Sequence, residues 1–306
     1  MSPTSITVIM SVHNGRRFLP AAMNSILQQT FSDFEFIIIN DGSTEPVDDL
    51  IEGIFDPRII YIKQRNVGLT RSLNRAIDMS HGDYIARMDS DDVSDITRLE
   101  KQARQVEINP NLDMVGTFFD IIDKNDNLIR SKILLTDPLY RLWRLQFHNN
   151  YAHGSMMMKK SSVQRIGKYD VSLKYAQDYD LWRRLSKKDN TMIIPEALYR
   201  YRLVEDSAQA SVKNYDDQLG AAVTISNNSL RTSVEDLTDE ELIHVRSVYW
   251  NFQLPTVSDA GLSIIPRLFE GFCVRYGLSL DEREALWKII DDDLAKRRDC
   301  ESYVND

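Results

Sequence analysis

The segment "ARMDSDDVS", residues 86–94, sets three carboxylates within four positions: Asp89, Asp91 and Asp92. Asp89 and Asp91 stand two apart at the end of an apolar run, where both can reach one hard divalent cation. Magnesium and manganese accept carboxylate oxygens and keep positions open for water and phosphate oxygens. A metal held there would relieve the repulsion between the carboxylates and add affinity for a diphosphate. The spacing alone fits equally a solvated turn whose aspartates cap the next helix, and Asp92, Ser94 and Asp95 suit that role.

Two further places carry acidic side chains suited to chemistry. In "IINDGSTE", Asp41 follows a β-branched run and could accept hydrogen bonds from a nucleobase or a ribose; an Asx-turn is the structural alternative. In "YAQDYDLWRRL", Asp178 and Asp180 flank Tyr179 directly before an amphipathic helix. One of them is a candidate general base, and the other a helix N-cap.

The elements that must position these groups follow from periodicity. "ITVIMSV" (6–12), "FEFIIIN" (34–40), "IIYIK" (59–63) and "DYIARM" (83–88) predict buried strands. "FLPAAMNSILQQ" (18–29), "LTRSLNRAIDMS" (69–80) and "SDITRLEKQARQVEI" (94–108) predict helices with one apolar stripe. Such alternation implies a mostly parallel α/β sheet with right-handed crossovers, and ligands bind beyond the carboxyl ends of its strands. Asp41 and the Asp89 group both fall just past such an end, so one rim of the sheet gathers them. From about residue 113 the pattern changes: "MVGTFFDIID" and "LIRSKILL" read as strands around "KNDN", "DPLYRLWRLQF" as a short helix, and "SMMMK" as a strand. Beyond about residue 213 the pattern is nearly all helical.

Three segments together resemble glycosyltransferase family 2: "TVIMSVHNGRRFLPAAMNSILQQTFSDFEFIIINDGSTE", "NVGLTRSLNRAIDMSHGDYIARMDSDD" and "QDYDLWRRL", in order and spacing, over roughly residues 5–207. The resemblance implies the GT-A fold, a Rossmann-like sheet with flanking helices that takes sugars from nucleotide sugars. The implied division is a catalytic domain over 1–213, with a nucleotide-sugar half to about 112 and an acceptor half from 113, followed by a helical domain over 214–306. Ser11, His13 and Asn14 would then lie beside the nucleobase and Asp41 would contact it, commonly a uracil. Asp89 would approach the ribose, and Asp91 a manganese or magnesium ion on the diphosphate. Asp178 would be the general base, with Trp182 on the acceptor side. Apart from the resemblance, His153 before "GSMMM" is a candidate contact for the diphosphate or the acceptor, and a structural histidine is the alternative. Arg65 and Arg71 are candidate partners of the diphosphate. The implied reaction is a single displacement that inverts the anomeric centre, on a glycan or lipid-linked saccharide acceptor. The chain departs from the family pattern at Gln177, where a Glu is usual, and at Val204, where "RYRLVEDSAQAS" replaces a His that helps hold the metal in some relatives.

Composition sets the outer limits. The chain has 306 residues, 42% of them hydrophobic, with a formal net charge of −9. An acidic chain as a whole does not attract nucleic-acid backbones. Two cysteines make no disulfide framework, and no apolar run approaches the ~20 residues needed to span a bilayer. The expectation is a cytoplasmic protein, with "DLWRRLSKK" as a candidate contact with anionic lipid at the inner membrane face and "IIPRLFEGFCVRYG" as a candidate interfacial helix or dimer contact. Two other functions compete. A nucleotidyltransferase would want a Gly-rich, Lys-bearing loop after the first strand, and "HNGRRF" matches that poorly. A nucleotide-sugar-binding module without turnover would not need Asp89, Asp91 and Asp178 together.

Overall fold

The computed structural model describes residues 5–204, 214–249 and 258–299. It divides into two compact units, one of residues 1–136 and 151–216, the other of residues 137–150 and 217–306. The division departs from a single cut near residue 213 because the segment 137–150 groups with the C-terminal helices.

The first unit is built on a nine-stranded sheet. Its β-branched runs form β1 (Ile6–Val12), β2 (Phe34–Asp41), β3 (Ile59–Gln64) and β4 (Tyr84–Asp89). β1 pairs in parallel with β2 and with β4, and β2 with β3. The order is therefore β3-β2-β1-β4, with the direction of winding reversing between β1 and β4. Helices α1 (Leu19–Leu27), α2 (Asp48–Glu52) and α3 (Leu69–Met79) are the crossovers. Ile9, Met10, Ile37, Ile38, Leu73, Ile77 and Met88 are fully buried among these elements. Burying each such side chain contributes on the order of 2 kcal/mol.

Next come the two-residue strand β5 (Val93–Ser94) and helix α4 (Arg98–Ile108). The helix predicted from Ser94 thus starts four residues later. Val93 and Ser94 pair instead with Arg200 and Tyr199, and the Asp95 carboxylate is taken by the Thr97 N–H and hydroxyl, at 2.9 and 2.7 Å. The rest of the sheet comprises β6 (Met114–Ile122), β7 (Leu128–Lys132), β8 (Met157–Lys159) and β9 (Thr191–Arg202), with a short 3-10 turn at His153–Ser155 before β8 and helix α6 (Lys160–Arg165) after it. β8 runs antiparallel to β4 and β6, while β9 runs parallel to β6. β9 was not anticipated. It is long and carries Pro195, Glu196 and four charged or tyrosine residues near its end, so it lacks a clean apolar period. Its register shifts beside β6 mark the irregularity.

In the second unit, α5 (Pro138–Arg144) begins at Asp137, whose carboxylate accepts from the Tyr140 N–H at 2.7 Å. The C-terminal helices are α8 (Tyr215–Arg231), α9 (Asp239–Tyr249), α10 (Asp259–Tyr276) and α11 (Leu280–Asp299). Trp143 of α5 is fully buried in this unit. Its ring meets Phe147, Tyr249, Phe269 and Phe272 edge-on at 5.3–6.3 Å, and its indole N–H donates to the Tyr249 hydroxyl at 3.0 Å. Such rings fill the space between helices better than aliphatic side chains and add edge-to-face attraction. That is the physical reason the segment joins the tail. No helix of the described residues is long and apolar enough to cross a membrane.

One close approach fixes how β9 meets the turn at His153–Ser155. Gly154 lies against the Tyr199 ring, and a Cβ added at Gly154 would overlap the Tyr199 hydroxyl. Gly154→Ala is expected to cost roughly 1–3 kcal/mol as an overpacked site, read by urea unfolding. Tyr199→Phe removes the obstructing oxygen, so the double variant should lose less than the two single losses summed. Simple additivity would mean that the two groups do not meet.

Candidate active site

The carboxyl ends of β1, β2 and β4 form one rim. Ser11 is in register with Asp89 across β1 and β4, and Asp41 with Gln64 across β2 and β3. The loops beyond these ends are held by side chains. Asn14 takes a left-handed backbone at φ 57°, and its Oδ1 accepts from the N–H groups of Thr44 and Glu45 at 2.7 and 3.0 Å. Asp41 is buried, and its carboxylate accepts from Gln64 Nε2, Val67 N and Gly68 N at 2.7, 2.9 and 2.9 Å. Three of its four lone-pair directions are thus committed to the end of β3 and the loop that enters α3. His13 Nδ1 lies 3.1 Å from the Asp41 carbonyl, joining the β1 and β2 ends. Ser11 is half-buried, and its hydroxyl has no partner among the described residues. Arg65 and Arg71 are exposed and likewise without a partner among the described residues.

The three carboxylates of the β4 end have three different environments. Asp89 receives Arg87 Nη2 at 2.5 Å. Arg87 is fully buried, and its Nε and Nη1 have no partner, so its charge is directed at Asp89 with little competition. Asp92 is buried between Tyr199, whose hydroxyl donates to Oδ2 at 2.7 Å, and the Arg202 N–H, which donates to Oδ1 at 2.7 Å. Burial and the neighbouring Asp89 and Asp91 push its carboxyl well above the usual carboxylate range. The Arg202 side chain then donates to the Asp91 carbonyl at 2.7 Å, the Asp123 carbonyl at 3.1 Å and the Asp126 carboxylate at 2.7 Å, and its guanidinium lies 4.6 Å from the Phe18 ring. The Asp91 side chain is the exception. Half-buried, its carboxylate has no hydrogen-bond or ion-pair partner from another described residue, only its own main-chain N–H, and burial and then the Asp89 charge raise it to about 6.

Beneath the rim, Arg98 donates to the carbonyls of Gly154 and Arg87 at 2.6 and 3.2 Å, and burial pulls it down to about 10. His153 is held well below its ordinary value by burial and by Arg87, so its imidazole is neutral, and Nε2 lies at hydrogen-bond distance, 2.7 Å, from the Tyr169 hydroxyl. Trp182 is fully buried, with its ring 5.9 Å from His153. Trp182 therefore packs in the floor of the unit, and His153, half-buried, stands against it.

Helix α7 (Gln177–Leu185) follows Ala176, which has a left-handed backbone and gives no side-chain cap. The two candidate carboxylates of this helix separate clearly. Asp180 is bound by Arg184 through Nε and Nη2 at 2.8 and 2.6 Å, and Arg184 is itself anchored to the carbonyls of Ile166 and Lys168. Asp178 sits in the first turn, accepting from the Tyr179 N–H at 2.8 Å. It is close enough to Tyr169 for its charge to raise that hydroxyl. Arg87, Tyr199 and Arg202 were not singled out by sequence. For Arg87 a signal exists: an arginine inside a buried strand, two residues before an aspartate, needs a charged partner. The Val204 position lies at the end of the described segment, and residues 205–211 of the same motif lie outside it.

Among the described residues no three His, Cys, Asp or Glu side chains gather to hold a metal ion. The donor set at the β4 end is one carboxylate without a partner from another described residue, a second held by Arg87 and a third committed to Tyr199 and Arg202. That set fits an ion that takes one protein carboxylate and completes its shell with phosphate oxygens and water.

Comparison with known proteins bears on this geometry. Residues 7–167 match the family model described as Glycosyl transferase family 2. An uncharacterized glycosyltransferase of Methanocaldococcus jannaschii is 33% identical over 210 residues, which is 66% of this chain and 72% of that protein. The O-antigen biosynthesis glycosyltransferase WbnJ of Escherichia coli is 35% identical over 220 residues, 69% of this chain and 84% of that one. Among solved structures, S. aureus TarS 1-349 in complex with UDP-GlcNAc superposes with a TM-score of 0.64 at 15% identity, covering 96% of this chain and 89% of that chain. The sheet and its flanking helices thus have the GT-A fold, followed by a helical C-terminal region.

The raised Asp91 carboxyl has a stability consequence. The folded protein holds this proton more tightly than the unfolded chain, so stability falls as pH rises from 3.8 to about 6 and stays lowered above that. Asp91→Asn removes the penalty. Its melting temperature is expected to exceed that of the native protein by a few degrees at pH 7.5, with the gain shrinking toward nothing below pH 3.8. Thermal melts at several pH values in metal-free buffer check this.

Proposed function

The chain belongs to glycosyl transferase family 2, and from that premise we propose that this glycosyltransferase moves a sugar from a nucleotide sugar, a UDP-sugar first among them, to a hydroxyl of a glycan or lipid-linked saccharide. The observation that carries the reading is the division of the β4-end carboxylates, which leaves Asp91 alone without a partner from another described residue. UDP-GlcNAc is the ligand of the TarS structure that shares the fold, and O-antigen biosynthesis is the role named for the WbnJ relative; both support a nucleotide-sugar donor and a glycan acceptor.

In this reading the nucleotide lies across the β1, β2 and β4 ends. The base meets Ser11, His13 and Asn14, the ribose meets Asp89, and Asp41 acts chiefly by holding the loop beside the base. Arg71, with Arg65, offers positive charge to the diphosphate. A divalent ion, manganese or magnesium, supplies further positive charge for the leaving diphosphate when bound, and Asp91 would hold it. The acceptor hydroxyl is a weak nucleophile at neutral pH, so a base must take its proton as it attacks the anomeric carbon. Asp178 takes that role because Asp180 is neutralised by Arg184. Attack from the face opposite the leaving group inverts the anomeric centre.

Two measurements test this. Calorimetry with UDP, GDP and dTDP is expected to find one nucleotide that binds only with manganese, and Asp91→Ala should weaken it at least tenfold. Retention of manganese-dependent affinity in that variant would remove Asp91 from the metal site. Asp178→Asn is expected to lower turnover by roughly 10²–10⁴-fold while nucleotide affinity stays within twofold; unchanged transfer would sink the base assignment.

A further inference from the structure

On β9, residues two apart share a face, so Tyr201 continues the face on which Tyr199 stands. The two tyrosines have opposite fates. Tyr199 is fully buried and spends its hydroxyl on Asp92. Tyr201 is 41% exposed, and its hydroxyl has no hydrogen-bond partner among the described residues. Its main chain is nevertheless fixed. It pairs with Ile121 of β6, and the next residue is Arg202, which is bound to Asp91, Asp92, Asp123 and Asp126. A large aromatic side chain is therefore held rigidly at the rim while its ring stays open.

The surroundings of Tyr201 are specific. Its hydroxyl is raised to about 12, first by desolvation and then by the charges of Asp92, Asp89, Asp91 and Asp178. Tyr201 thus keeps an open surface beside these carboxylates. The same list of charges places the residue within reach of both the β4-end carboxylates and the candidate base of α7. A reacting sugar must lie between those two groups of carboxylates. A pyranose offers a patch of C–H bonds on one face, and these pack well against the open face of an aromatic ring, which carries negative charge density.

We propose that Tyr201 is the platform on which the donor's sugar ring rests, so that it is a specificity-determining residue that touches substrate. The inference rests on the nucleotide-sugar reading above. The ring is the binding element, and the hydroxyl is dispensable.

The test is calorimetric binding of UDP and of UDP-glucose, UDP-galactose, UDP-GlcNAc and UDP-GalNAc, with manganese, to the native protein, Tyr201→Phe and Tyr201→Ala. The expected result has three parts. Native protein binds at least one of the four donors; Tyr201→Ala weakens that donor at least tenfold and leaves UDP within twofold; Tyr201→Phe keeps both within threefold. Hydrolysis of the same donor by water should show the loss in KM for Tyr201→Ala, with melting temperature unchanged within a few degrees. Equal weakening of UDP and donor, an unaffected donor, or a Tyr201→Phe variant as impaired as Tyr201→Ala would each overturn the platform. Native protein that binds none of the four donors and no UDP would instead overturn the nucleotide-sugar reading, and the platform with it.

Discussion

Repulsion among Asp89, Asp91 and Asp92 is the constraint around which the catalytic unit is arranged. Two like charges about 4 Å apart cost on the order of 4 kcal/mol at an effective dielectric of 20, and partial burial adds desolvation. Each carboxylate meets that cost differently. Arg87 reaches Asp89 from inside the sheet, and Tyr199 with the Arg202 main chain encloses Asp92. Asp91 is left to carry its penalty, visible as a carboxyl raised to about 6. An active site often holds such a group at the expense of stability, because the same lack of a partner creates affinity for a ligand that brings positive charge.

The rest of the rim obeys a related rule, that loop main-chain N–H groups near a site must be satisfied by something. Here the satisfying groups are side chains at strand ends. Asn14 takes the N–H groups of Thr44 and Glu45, and Asp41 takes those of Val67 and Gly68. Both residues are of types that a family pattern assigns to the ligand. In this structure their first task is to fix the loops that would surround it. Sites built in this way reorganise little on binding, which strengthens any electrostatic effect they exert. Arg202 plays the same part on the other side of Asp91, tying β9, the β6–β7 turn and the β4 end together.

Helix α7 shows how environment, more than residue type, selects between neighbouring acids. Asp178 and Asp180 are alike in type and nearly alike in place. One is clasped by Arg184, which is itself held by two carbonyls; the other stands in the first turn, near Tyr169 and Tyr201. The helical unit is organised on a separate principle, the aromatic cluster around Trp143. That unit lies beyond residues 7–167, which carry the family match, apart from the segment 137–150.

The sequence by itself determined four strands and three helices over the first 108 residues, though not α2 or β5, because apolar period and β-branching are local properties. Four strands lie within one residue of their expected bounds. It also determined that Asp41 and Asp89 share one rim, since a parallel sheet with helical crossovers puts all its carboxyl ends on one side. The order of the three motifs was enough to identify the family. Only the tertiary structure decided which carboxylate is free, that Arg87 lies under Asp89, that Asp180 is neutralised, and that residues 137–150 join the tail. The reason is distance along the chain. Asp92 finds its partners 107 and 110 residues away, and Trp143 meets Tyr249 106 residues away. No local pattern of residues records such a pairing; it exists only once the sheet and the helices have closed.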